Sequence, residues 1–416
     1  MHDFPPRRPA PSRPPQSRPA RRHGLLVARV ATAVIATALL ASSCAKAPII
    51  GDASVAVSHG PAQSASPTPT PTPTQPPALA LSTTHGLDAV LPSDSLTMAF
   101  TNATPQQITV TGAKGDAVTG KLSGTTWTPD RTFLPGEQYT VTVKAVDGAG
   151  TPVNFTNQFT TVAADAQATF QFIYAFDNLG IGMPLYVQFD EPITDQGVRA
   201  AIESHAVVTT TPQQEGSWGW VSNTVMQWRP KTYWQAGTKA TVDMQIGGIS
   251  TAPGTYFTED GNITYSFGQA HVLRVDLNTQ HMQVFDGGQL VRTVPVSTGK
   301  PGHDTYTGTK VILDKLSSMI MDSSTYGVPV NSPEGYRLTV ANAQRLTWDG
   351  EFIHAAPWSV ADQGVRPVSH GCTNVSDPDG RWLFNFTQIG DPVEFTGGSL
   401  PYPPGTGIGV WTYSWD

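Results

Sequence analysis

The segment Ser369-His370-Gly371-Cys372-Thr373-Asn374 holds one of only two cysteines in the chain, and His354 lies a short way upstream. A cysteine attacks a carbonyl as its thiolate, and an imidazole in hydrogen-bond contact can take up the displaced proton. The other cysteine, Cys44, belongs to an N-terminal export segment, so Cys372 has no disulfide partner. An unpaired thiol framed by His, Gly and Asn in an exported chain reads as a nucleophile. The histidines of this part of the chain include His303, His354 and His370. A strand or tight turn over 369–374 places His370 and Cys372 on one side, with Gly371 letting backbone N–H groups approach an oxyanion. Two other readings of the same residues remain: a buried apolar cysteine beside a structural histidine, and a zinc site of His354, His370 and Cys372. Against the zinc site, no second cysteine or carboxylate ligand stands at the short spacing such sites favour.

The elements that must carry these residues begin after residue 43. Arg7, Arg8, Arg13, Arg18, Arg21, Arg22 and Arg29 precede the apolar run from Val30 to Ala41. That run is too short to span a bilayer comfortably and has the order of a secretory signal, residues 1–43. It closes on Leu40-Ala41-Ser42-Ser43-Cys44, similar to a lipoprotein processing site although Ala41 stands where Leu is more usual. Lipidation of Cys44 is therefore expected; ordinary cleavage would leave it a spare thiol. Residues 44–79 contain Ser66-Pro67-Thr68-Pro69-Thr70-Pro71-Thr72-Pro73-Thr74, which builds no core and favours extended polyproline II, a tether. The chain carries a formal charge of −7, and removing the arginine-rich leader makes the remainder more acidic. A remainder with this acidic excess has no net positive charge to neutralise phosphates, which argues against a nucleic-acid partner.

From residue 80 onward short runs rich in Val, Thr and aromatics alternate with turn residues, the pattern of antiparallel strands. An internal repeat divides this region. Trp127-Thr-Pro129 leads to Leu134-Pro135-Gly136 and Tyr139-Thr-Val141, and at the same offsets Trp228-Arg-Pro230 leads to Trp234-Gln-Ala-Gly237 and Ala240-Thr-Val242. Two similar Ig-like β-sandwich domains are expected, over 80–163 and 164–267, without an inter-sheet disulfide. A third, β-rich domain follows over 268–398. It opens with a meander whose Asp286-Gly287-Gly288 turn signals a hairpin, and a short helix is expected near 379–386. The aromatic tail 399–416, with Trp411, Tyr413 and Trp415, is expected to fold back between the second Ig-like domain and the third domain. The fold class is mainly β.

Residues 317–396 closely resemble the catalytic domain of bacterial L,D-transpeptidases of the actinobacterial type with tandem Ig-like domains. The matching text is Met319 to Tyr336, His354-Ala-Ala-Pro-Trp-Ser359 and Ser369-His-Gly-Cys-Thr-Asn-Val375. The resemblance implies a peptidoglycan cross-linker: Cys372 attacks the third residue of a tetrapeptide stem, D-Ala leaves, and a diaminopimelate amine of a neighbouring stem resolves the thioester into a 3→3 link. It also implies covalent capture by carbapenems and no metal or organic cofactor. Residue by residue, His354 matches the general base, its ring oriented by the carbonyl of the next residue, here Ala355 where relatives often have Ser. The N–H groups of Gly371 and Cys372, with the Tyr336 hydroxyl, match an oxyanion hole, and His370 stands beside them as a catalytic candidate. Met321, Tyr326 and Trp358 match a flap and donor-pocket walls. Ser369 and Asn374 are substrate-side candidates that also support the turn, and Arg366 is a candidate contact for substrate carboxylates. A lipid-anchored enzyme on the outer face of the cytoplasmic membrane is the location implied. The rival readings are an L,D-carboxypeptidase, with water as acceptor, and a non-catalytic wall-binding protein.

Overall fold

The computed structural model describes residues 75–415. The secretory signal, Cys44 and nearly all of the tether lie outside the described residues, as does the side chain of Tyr326.

The strand Gln138–Asp147 shows why the first sandwich forms. Tyr139, Val141, Val143 and Ala145 alternate inward while the intervening residues stay nearer solvent, the period-2 pattern of a half-buried strand. It pairs with Ala103–Gly112 on one side and Pro152–Thr160 on the other. A second four-stranded sheet, which includes Leu96–Thr101 and Thr126–Pro129, closes over it. Trp127, Phe133, Tyr139 and Phe159 fill the space between. The Tyr139 hydroxyl accepts a hydrogen bond from Leu134 N at 2.7 Å, fastening the Leu134-Pro135-Gly136 corner. The repeat places Gly136 and Gly237 at matching corners with φ of 70° and 76°, left-handed conformations that glycine adopts without steric cost.

In the second sandwich Trp234 stacks between Trp228, at 5.2 Å, and Phe267, at 4.2 Å. A helix absent from the sequence reading, Gln196–His205, is capped by Asp195 Oδ1, which accepts from Val198 N. This core does not end at its own strands. It runs on through Val311 and Leu313 of the third domain and Ile408 and Val410 of the tail. The tail is fixed across that junction. Trp411 Nε1 donates to Gly182 O at 2.6 Å, its ring meets Tyr233 at 4.6 Å, and the Arg229 guanidinium lies against the Trp411 and Trp415 rings.

The third domain has a five-stranded sheet running Gln289–Pro295, His281–Asp286, His271–Asp276, Pro392–Thr396, Gly308–Val311. A four-stranded sheet carries the chemistry-bearing residues in the order Asp314–Asp322, Arg337–Arg345, Phe352–Ala355, Thr373–Val375. The helix Asp377–Phe386 follows the last of these, begun by Ser376, whose Oγ accepts from Asp379 N. Gly380 is the point of contact: a Cβ there would lie 3.1 Å from the Ala355 Cβ. The helix thus backs directly onto the strand that holds His354.

Candidate active site

The strands Phe352–Ala355 and Thr373–Val375 pair in parallel, with His354 opposite Asn374. This pairing brings two segments distant in sequence to one sheet face, and Cys372 stands immediately before the second strand. The thiol is buried among Met321, Val340, Ala343 and Phe352, with Tyr336 packed against the same cluster. Its Sγ lies 3.6 Å from Gly350 O. Burial pushes the Cys372 thiol up to about 12, with Glu351 adding to the effect and the Phe352 backbone, Lys310 and Arg345 opposing it. His354 is buried as well, and loss of solvent lowers its pKa below the ordinary 6.5 despite the Ala355 carbonyl. At neutral pH both groups are uncharged. His354 Nδ1 lies 3.0 Å from Ala355 O; only an Nδ1–H can satisfy that carbonyl, which leaves Nε2 as the acceptor.

The turn before the nucleophile depends on Gly371, whose φ is +116°, a conformation open in practice only to glycine. Ser369 Oγ donates to Cys372 O at 2.6 Å and accepts from Gly371 N at 3.1 Å. Thr305 Oγ1 adds a bond to Gly371 O at 2.7 Å. In this conformation the Gly371 N–H donates to Ser369 Oγ, and Ser369 is buried as a clasp of the turn. Asn374 is likewise buried, donating through Nδ2 to Ser359 Oγ at 3.1 Å. The positive φ at Gly371 also breaks the alternation that would put His370 and Cys372 on one side. His370 faces outward, with Nε2 2.9 Å from Glu334 Oε2 and its ring 4.7 Å from His303 and 5.2 Å from Tyr336. His354, His370 and Cys372 do not converge as a zinc triplet; among the described residues the tight grouping of metal-ligating side chains is His303, Glu334 and His370. Arg366 pairs with Asp362 through a 2.6 Å bond inside its own turn.

The flap runs between Asp314–Asp322 and Arg337–Arg345. Ser323 ties its two ends, exchanging bonds with Tyr336 through Ser323 N to Tyr336 O and Tyr336 N to Ser323 Oγ, each 2.9 Å. Met321 is buried beside the thiol, Tyr326 ends the short 3-10 turn Ser323–Tyr326, and Trp358 is 57% exposed with its ring 6.1 Å from that of His354. Clefts of about 370 and 390 Å³ open elsewhere on the surface, and neither is lined by Cys372 or His354. The thiol is closed over in this conformation.

Sequence reasoning missed the ion pair beneath the site. Lys310, fully buried, bonds Glu351 and sits 3.8 Å from the Phe395 ring centroid, while Glu351 also accepts from Tyr306 N at 2.8 Å. Both charges act on Cys372. A lysine in a short strand of mixed polarity carries no sequence mark of burial, so no signal could have found it.

Two sandwiches are thus followed by a domain that sets a thiol and an imidazole on adjoining parallel strands. Family models for a bacterial Ig domain and for the L,D-transpeptidase catalytic domain match residues 88–250 and 270–395. The chain is 33% identical to L,D-transpeptidase 2 of Mycobacterium tuberculosis (strain CDC 1551 / Oshkosh) over 348 residues, 82% of this chain and 83% of that one. To L,D-transpeptidase 1 of Mycobacterium tuberculosis (strain ATCC 25618 / H37Rv) it is 36% identical over 219 residues, 53% of this chain and 80% of that one. A solved structure of the L,D-transpeptidase LdtMt1 in complex with imipenem aligns with a TM-score of 0.49 at 32% identity, covering 56% of this chain and 99% of that one. The chain belongs to the L,D-transpeptidase family.

Proposed function

We propose that this family member forms 3→3 cross-links in peptidoglycan through a thioester on Cys372. The observation that carries the reading is the neutral pair: a buried thiol beside the parallel strand of a histidine whose Nδ1 is held by Ala355 O. In the first half-reaction Cys372 Sγ attacks the carbonyl of the third residue of a tetrapeptide stem. His354 Nε2 takes the thiol proton and passes it to the nitrogen of the departing D-Ala. The thioester forms as the amide bond breaks. In the second, the side-chain amine of a neighbouring diaminopimelate attacks the thioester, His354 accepts the amine proton, and the thiol is regenerated. Charge on the carbonyl oxygen is met by the Cys372 N–H and the Tyr336 hydroxyl, with Gly371 contributing its turn geometry in place of its N–H. Trp358, exposed beside His354, forms a wall of the donor site. A carbapenem ring carbonyl offers the same thiol an acyl group, so covalent capture on Cys372 is part of the reading.

Export and lipidation at Cys44 would set this chemistry on the outer face of the cytoplasmic membrane, with residues 45–79 as the tether. Cys44→Ser should then release the protein or leave it unprocessed, and unchanged membrane retention would remove the anchor. The central test is incubation of the purified exported chain with a disaccharide-tetrapeptide, read by mass spectrometry. A cross-linked dimer with loss of D-Ala is the expected product. Monomeric tripeptide alone would establish a carboxypeptidase instead, and absence of turnover or of an adduct would refute the enzymatic reading.

A further inference from the structure

At the outer edge of the site three metal-ligating side chains from three separate segments converge. His303 comes from the loop after Gly299, Glu334 from the flap, and His370 from the turn before the nucleophile. Their ligand atoms all lie within 4.8 Å of one another. His370 Nε2 is 2.9 Å and His303 Nε2 3.7 Å from the same Glu334 Oε2. Tetrahedral zinc with bonds of about 2.0–2.1 Å holds its ligand atoms about 3.4 Å apart, and the two distances bracket that value. Two imidazole nitrogens and one carboxylate oxygen are a donor set that suits Zn²⁺. The three side chains are 35%, 51% and 28% exposed in the order His303, Glu334, His370. An ion can therefore reach them and keep water as a fourth ligand. Positive charge already sits there: the Lys300 ammonium, itself partly exposed, is 2.6 Å from Glu334 Oε2 and occupies the place a cation would take.

We propose that His303, Glu334 and His370 form a Zn²⁺ site, and that its occupation clamps the flap to the nucleophile's turn and slows acylation. The connection is short. Glu334 is two residues from Tyr336 and His370 two residues from Cys372, so one ion cross-links the two segments that must separate for a stem peptide to reach the closed-over thiol. The inhibitory half of this proposal rests on the acyl-enzyme reading above; the binding half does not.

The test keeps the two apart by using Co²⁺ as a spectroscopic stand-in and Zn²⁺ as competitor on the full chain. Cys372→Ala protein, which lacks the thiol nearest the site, should develop the visible absorption of tetrahedral Co²⁺ and lose it on adding Zn²⁺. His303→Gln should bind each metal roughly tenfold or more weaker, a change of about 1.4 kcal/mol or greater, with melting behaviour unchanged. In the parental protein Zn²⁺ should slow carbapenem acylation reversibly, a chelator should restore it, and His303→Gln should acylate at the parental rate but ignore Zn²⁺. Parental metal affinity in His303→Gln, or loss of binding in Cys372→Ala, would overturn the site. Binding without any effect on acylation would overturn the clamp. A parental protein that never acylates would instead refute the enzymatic reading, while the Co²⁺ spectra still decide the site.

Discussion

Alkylation of Cys372 by iodoacetamide offers a direct measure of how far the fold suppresses the thiolate. The reagent reacts with thiolate, so its rate follows the thiolate fraction. An ordinary thiol at 9.0 is about 3% ionised at pH 7.5; one pushed up to about 12 carries about a thousandfold less thiolate, since each pKa unit is tenfold. The expected rate at pH 7.5 is therefore about a thousandfold below that of an exposed cysteine, with no inflection between pH 8 and 10. Burial closes off the reagent too, which lowers the rate further but leaves the missing inflection as the diagnostic. On the mechanism proposed above, in which His354 takes the proton during attack, acylation by substrate or carbapenem should behave differently. Its neutral form is the active one, and its pKa lies below the ordinary 6.5. The rate should thus stay flat from neutral to mildly alkaline pH and fall only on the acid side, below 6.5. The assay is intact-mass spectrometry of quenched samples across pH. An alkylation curve that levels off near pH 9, or acylation that climbs in parallel with alkylation, would show a conventional free thiolate and refute the neutral-pair argument.

Tyr336→Phe keeps the ring against the Cys372 cluster and removes the hydroxyl, so acylation should fall about 10²–10³-fold, as for loss of one oxyanion donor, at an unchanged melting temperature; equal rates would leave Tyr336 as pocket wall only. Glu351→Gln leaves the Lys310 ammonium buried without its countercharge, and denaturant unfolding should show a loss of about 3–5 kcal/mol; a loss under 1 kcal/mol would mean that the ion pair is not needed. Trp411→Ala removes the bond to Gly182 O and the contact with Tyr233; about 3 kcal/mol and faster proteolysis of the tail are expected, and parental resistance would dismiss the tail as a strap.

Side-chain alternation and turn residues made the strands legible, because burial on one face imposes period 2 on Tyr139, Val141 and Val143. The repeat was legible for a related reason: a buried tryptophan and a positive-φ glycine recur where the same corner is built twice. That His354 and Cys372 lie on or beside adjoining strands was suggested by their types and the motif that holds them. Sequence could not show that Gly371 turns His370 away from Cys372, because a reversal of facing is a property of φ and not of residue type. Nor could it show that Ser369 and Asn374 spend their polar atoms on Cys372 O and Ser359. Lys310 and Glu351 are far apart in the chain, and their pairing exists only once the sheets pack.

The base and the nucleophile are set by different physical means, which explains what this chain tolerates. His354 is oriented by a backbone carbonyl, so Ala in place of Ser at 355 costs the orientation nothing. The small side chain has its own use, since the Ala355 Cβ faces Gly380 of the helix behind the strand, where even one added carbon on the glycine would sit at 3.1 Å. The thiol is set by desolvation, which outweighs the opposing charges of Lys310 and Arg345. That arrangement keeps Cys372 protonated and buried. For a buried thiol the consequence is selective: oxidants and alkylators meet a neutral group, whereas on the proposed mechanism a bound carbonyl meets the same group with His354 as base.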